Sequence, residues 1–152
     1  LLCGCIMLAT LVYQGARRDA DEIHNLICTA KSTIYIKPRE LILNGTLVLD
    51  LKSNRIAIHY SVQDQRREQR LFFQDVAITP LNRTGMKTYT FRVKAVHKFN
   101  SDTTGEMFSW LRLLQPATEN ELTINKIGPR AYLFSLNRQI YNFCTTSGGA
   151  KA

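Results

Sequence analysis

The chain has little of what catalysis and cofactor chemistry draw on. It holds 3 His and 1 Trp, and no Gly-rich phosphate loop, G-x-S-x-G elbow or H-E-x-x-H pattern. His24, His59 and His97 stand apart from one another and from any C-x-x-C pair, so the ligand spacing a metal needs is missing. Asp64, Asp75 and Asp102 fall in or beside predicted loops, with nothing to pair them as acid and base. No enzyme, metal site or cofactor is expected. Acidic residues are also scarce, 12 against 20 Lys and Arg for a net charge of +8. That excess invites a nucleic acid, but the cations are scattered and no RNP-type motif, zinc-finger spacing or recognition-helix pattern accompanies them. Direct nucleic-acid binding is not expected. Attraction to anionic lipid headgroups remains open.

A bilayer-length apolar run is missing too. The uncharged stretch from Leu1 to Tyr13 is shorter than the roughly 20 residues a span needs, and Arg17 and Arg18 close it. Tyr13 suits an interface and the arginines suit the flank of an anchor. Cys3 and Cys5 precede Ile6-Met7-Leu8, the reverse of a lipoprotein signal, and the small-residue cleavage site is poor. Residues 1–16 therefore read as the surviving part of an uncleaved anchor, with a cleaved signal or a buried helix as alternatives. Residues 17–26 read as a polar linker, short helical or extended, 27–144 as a β-domain, and 145–152 as a disordered tail.

What is present is β-type alternation. Leu41, Leu43, Leu47, Leu49 and Leu51 share one parity; Ile56, Ile58, Tyr60 and Val62 share another run. Asn44-Gly45 would ordinarily mark a hairpin. Folding there mixes the two faces, so one long strand with Gly45 at a bend is expected, and the turn is placed at Lys52-Ser53-Asn54. Tyr89, Phe91, Val93 and Ala95 are expected inward, while Met107 to Leu114 is ambiguous between strand and short helix. No helical periods separate the strands, which excludes a doubly wound α/β fold. Roughly seven to nine short strands predict an all-β antiparallel barrel or sandwich. Cys28 and Cys144 bracket this domain, as a staple would in an oxidising compartment; two unrelated buried thiols are the alternative. Leu47, Leu49, Ile56, Ile58, Tyr60 and Phe91 either fill the interior or line a ligand pocket. The segments Met107–Leu114 and Tyr141–Cys144 are the expected sheet edges, with Phe108 and Trp110 as partner-binding anchors.

The short apolar start, the Leu43-Asn44-Gly45-Thr46-Leu47-Val48-Leu49-Asp50-Leu51 strand, the following Ile56-Ala57-Ile58-His59-Tyr60, and Cys144 after Ile140-Tyr141-Asn142-Phe143 together resemble the FidL-like family of enterobacterial inner-membrane proteins. The likeness to ToxS-type accessory proteins is more distant. The resemblance implies a single-pass inner-membrane protein with its bulk in the periplasm. It implies a partner, the periplasmic domain of a membrane-bound transcription activator with a cytoplasmic winged-helix domain. It also implies a lipocalin-like barrel able to take a bile-salt-like or lipid ligand. A stand-alone lipocalin-like binder of an amphipathic small molecule is the competing function.

Overall fold

One helix precedes nine antiparallel strands in a computed structural model that describes residues 2–147, the side chains of 2, 3, 16 and 18–21 excepted. Helix α1 (Leu2–His24) leads into β1 (Ile27–Ile36), β2 (Leu41–Asp50), β3 (Arg55–Gln63) and β4 (Gln69–Ile78). The two-residue β5 (Asn82–Arg83) follows, then β6 (Thr88–Lys98), β7 (Glu119–Gly128), β8 (Ala131–Leu136) and β9 (Ile140–Thr145). The order β4-β3-β2-β1-β9-β8-β7-β6 is closed by pairing of β4 with β6, giving an eight-stranded barrel. β5 is the extra strand. It lies on the β4 side of β6, with Asn82 opposite Thr90, because Pro80 interrupts the line of β4.

Closure leaves one thin seam. β1 and β2 pair along their whole length from Ile27↔Asp50 to Ile36↔Leu41, whereas β1 and β9 share the single pair Thr29↔Thr145. There the Cys28–Cys144 disulfide joins the two strands, with Cα atoms 5.4 Å apart. The expected staple is present; Cys5 is a free, exposed thiol.

The leucine parity of β2 survives through Gly45: Leu41, Leu43, Leu47, Leu49 and Leu51 are all buried, and Ile56, Ile58, Tyr60 and Val62 face them from β3. Ala95 departs from expectation. The register slips between Ala77 and Ile78, so Ala77 pairs with Ala95 while Ile78 pairs with Val93. The extra residue turns Ala95 to the exterior and lets Val96 pack on the core instead.

Of the expected linker, residues 17–24 take the helical form and continue α1. The helix foot is held to the barrel by Glu22, which accepts hydrogen bonds from Lys126 Nζ and Tyr132 OH, by Ile23 packed against the core, and by His24 Nε2 against Leu81 O at 3.2 Å. Those bonds hold the Glu22 carboxyl below its usual range, while burial, then Glu22, pushes Tyr132 up to about 12. No described helix is long and apolar enough to cross a membrane, so the expected single-pass span is not found among the described residues. Of the expected tail, Thr145 closes β9, and residues 148–152 lie outside the described residues.

A candidate ligand site at the barrel mouth

The two ends of the barrel are built differently. At the α1 end, Leu26, Leu51, Leu81 and Tyr89 are buried together as a plug. At the other end the long β6–β7 connection, residues 99–118, folds back over the opening. Asp102 anchors it. Its carboxylate accepts from Phe73 N–H (2.9 Å), Gln74 Nε2 (3.0 Å), Thr104 N–H (2.9 Å) and Thr104 Oγ1 (2.6 Å). Burial pushes the Asp102 carboxyl up, but these hydrogen bonds together outweigh it and hold the group below its ordinary value. Folded-state depression means that this anchoring is fully present above pH ~4 and is lost as the carboxylate protonates below that. Lid hydrogen-exchange protection is therefore expected to fall on acidification below pH ~4. Asp102→Asn should remove that pH step and weaken the fold by about 2 kcal/mol, read by chemical melts.

Met107–Leu114, ambiguous from its sequence, forms turns and a short 3₁₀ helix (Arg112–Leu114) in this lid. It is not an edge strand. Phe108 is 2% exposed and stacks on Phe72 with centroids 4.4 Å apart, so it presents no surface to a partner. Trp110 is 46% exposed. Its indole N–H donates to Met107 O at 3.0 Å, and the Arg39 guanidinium lies 5.6 Å from the ring centroid while donating to the same carbonyl. The lid is thus latched to the β1–β2 turn. Tyr141–Cys144, the other expected edge, lies in β9, which is paired along its length with β8 on one side and meets β1 only at Thr29↔Thr145 on the other, so residues 141–144 have no ladder pair on the β1 side.

Beneath the lid lies an apolar cavity of about 420 Å³. Leu47, Ile58 and Tyr60 line it, as expected, together with Ile34, Leu43, Phe72, Leu113 and Ile140. Leu49, Ile56 and Phe91 do not; they belong to the packed core nearer α1. The interior is therefore filled at one end and hollow at the other. A wider groove of about 680 Å³ runs along residues 35–42 and 63–67, but it is more open and more polar.

One polar row crosses the barrel wall beside the cavity. Ser32 on β1 pairs with Gly45 on β2, which pairs with Tyr60 on β3. With no side chain at Gly45, the Tyr60 hydroxyl reaches Ser32 Oγ at 3.1 Å, and Asn142 Nδ2 on β9 donates to the same oxygen at 2.8 Å. Burial pushes the Tyr60 hydroxyl above its ordinary value, opposed by the Ser32 bond, so it stays protonated and available to hydrogen-bond. Sequence parity finds Tyr60 as an inward residue. It does not find its partners, since Ser32 and Asn142 carry no apolar signal.

The cavity offers a hydrophobic chamber with the Tyr60 hydroxyl in its wall and a cationic rim residue, Lys37. No protein-family model, curated protein or solved structure matches this chain. Among the described residues no three His, Cys, Asp or Glu side chains converge as metal ligands. His59 stacks on Phe73, Phe73 meets Phe99 edge-on and Phe99 meets His97 edge-on, so the two imidazoles end one run of four rings outside the cavity.

Proposed function

We propose that this chain is a ligand-binding β-barrel tethered to a bacterial inner membrane, taking an amphipathic anion of bile-salt or lipid type into its mouth cavity from the periplasmic side. The cavity carries the reading. Its volume of about 420 Å³ falls in the ~300–1,000 Å³ range of small-molecule sites, and it combines apolar walls with few polar groups, as such sites do. An apolar ligand body replaces water against Leu47, Ile58 and Phe72, while Lys37 and Arg39 at the rim suit an anionic head. The disulfide supports an oxidising compartment. Ile6, Met7, Leu8, Leu11, Val12 and Tyr13 are exposed on all sides of α1, which suits immersion in lipid better than one-faced docking.

Trp110 is the only tryptophan, so its emission reports on the lid. Titration with a steroid carboxylate such as deoxycholate should shift that emission saturably, with a Kd of order micromolar. Ile140→Phe, which adds volume inside the cavity, should abolish the shift with little change in melting temperature. A flat titration of the native chain removes the ligand reading.

A second reading is control of a membrane-bound winged-helix transcription activator, as the FidL-like and ToxS-like resemblance implies. The observation favouring it is an aromatic patch on the barrel exterior beside the β1–β9 seam, where Tyr35, Tyr141 and Phe143 are each more than 60% exposed. Tyr141→Ala with Phe143→Ala should leave the melt within about 1 kcal/mol of native and abolish co-purification of the activator from membranes. Unchanged recovery places any such interface elsewhere.

A further inference from the structure

The two ends of the barrel also differ in charge. The connections at the α1 end, residues 51–54, 79–87 and 129–130, contain Lys52, Arg83, Lys87 and Arg130 and not one Asp or Glu. The mouth connections, residues 37–40, 64–68, 99–118 and 137–139, balance six cations with five carboxylates. All four α1-end cations are exposed. Two apolar side chains project among them, Met86 at the tip of the β5–β6 turn, 85% exposed, and Ile127 beside the β7–β8 turn, 51% exposed. Among the described side chains toward this rim, Glu22 is paired with Lys126 and Tyr132, Asp75 with Arg55, and Asp50 Oδ1 accepts from Ser53 N–H.

We propose that this rim is a second membrane contact, seating the barrel base on anionic phospholipid headgroups with Met86 and Ile127 dipping between them. The inference rests on the membrane-tether reading of α1 and goes beyond it, because the contact is made by barrel turns rather than by the helix. The occupant follows from the chemistry: a concentrated positive surface with isolated apolar tips, facing the same way as a helix that is apolar all round. A planar anionic layer meets every one of these groups at once. The eleven helical steps from Tyr13 to His24 rise about 17 Å, so an upright helix holds the rim roughly 10 Å above the headgroup layer. That is close to one Debye length at physiological salt, and a tilt of α1 brings the cations within reach. The ligand mouth then faces away from the lipid, open to solutes.

Full-length chain partitioned onto vesicles of phosphatidylcholine, with and without phosphatidylglycerol, tests this. The native chain should prefer the anionic vesicles, and added salt should erase the preference. The variant Lys52→Gln/Arg83→Gln/Lys87→Gln/Arg130→Gln should lose the preference by about tenfold or more at low salt, since each cation near such a surface contributes several-fold. The matched variant Arg66→Gln/Arg67→Gln/Arg112→Gln/Arg138→Gln removes the same charge from the mouth, away from the ligand rim, and should keep it. Arg83 also donates to Gly85 O and Met86 O. If the fourfold variant melts early, Lys52→Gln/Arg130→Gln alone decides, because among the described residues neither side chain is hydrogen-bonded. Equal losses from rim and mouth variants, or none from the rim variant, overturn the proposal. A native chain that binds both vesicle types equally overturns it while leaving the helix tether standing. One that binds only anionic vesicles removes the helix tether while the rim contact stands.

Discussion

Replacing Gly45 with alanine is expected to destabilise the fold by about 3 kcal/mol, although it adds one methyl group to a half-buried strand position. A Cβ built on Gly45 falls 2.0 Å from His59 O and 2.7 Å from Tyr60 Cα. Both are backbone atoms of the paired strand, so no rotamer change relieves the overlap. β2 and β3 would have to separate in the middle of a nine-pair register running from Ile42↔Gln63 to Asp50↔Arg55. The same separation pulls Tyr60 away from Ser32, breaking the row that reaches Asn142 across the seam. A fall in melting temperature of about 10 °C follows for a domain of this size. Gly85→Ala is the control: its Cβ meets only Thr88 side-chain atoms at 3.5 Å and beyond, an ordinary contact. Matching melts for the two variants would show that β2 can bend away from β3 without penalty.

Gly45 also shows how far local rules reach. Asn44-Gly45 is a strong hairpin signal, and a turn there would halve β2. Side-chain parity overrules it, because only a continuous strand keeps Leu43 and Leu47 on the same face as Leu49. Burying five leucines is worth far more than a favourable turn. Where parity itself breaks, sequence reading fails. The slip at Ala77/Ile78 reverses the faces of β6 without any glycine or proline to announce it, so Ala95 was expected inward and lies outside. The run from Arg17 to His24 reads as a helical or extended linker because its charges leave no apolar periodicity to choose between the two; the barrel holds the helical form through Glu22 and Ile23.

The site was legible by half. Alternation states which residues face inward but not at what height along the barrel. Leu47, Ile58 and Tyr60 at the hollow end therefore carry the same signal as Leu49, Ile56 and Phe91 in the packed end. The lid could not be placed from periodicity at all. Its fold depends on one carboxylate, Asp102, gathering donors from β4 and from its own loop, and on Phe108 finding Phe72 more than thirty residues away. Aromatics such as Phe108 and Trp110, in a segment without clear periodicity, look like interface anchors in a sequence. In the fold Phe108 is core, while Trp110 stays half-exposed beside Arg39.

Removing the Cys28–Cys144 link, by Cys28→Ala with Cys144→Ala, should produce a loss of about 4 kcal/mol, the largest of the substitutions considered. The two residues are 116 apart in sequence, and closing a loop of that size removes about 5 kcal/mol of unfolded-chain entropy in the simplest treatment, with measured losses of about 2–5. The position adds a second reason. Every other neighbouring pair of main barrel strands shares five or more register pairs, while β1 and β9 share only Thr29↔Thr145. With the link gone, that seam depends on one ladder pair and the Asn142–Ser32 hydrogen bond. The variant should therefore melt about 10–15 °C lower, and its hydrogen exchange should rise first in β1 and β9 while β3 and β4 stay protected. The ligand-induced shift of Trp110 should weaken in parallel, since Ile34 and Ile140 stand on those two strands in the cavity wall. Uniform loss of protection across all strands would mean that the disulfide acts only on the unfolded chain. Opening confined to β1 and β9 makes it the clasp that keeps the barrel, and with it the cavity, closed.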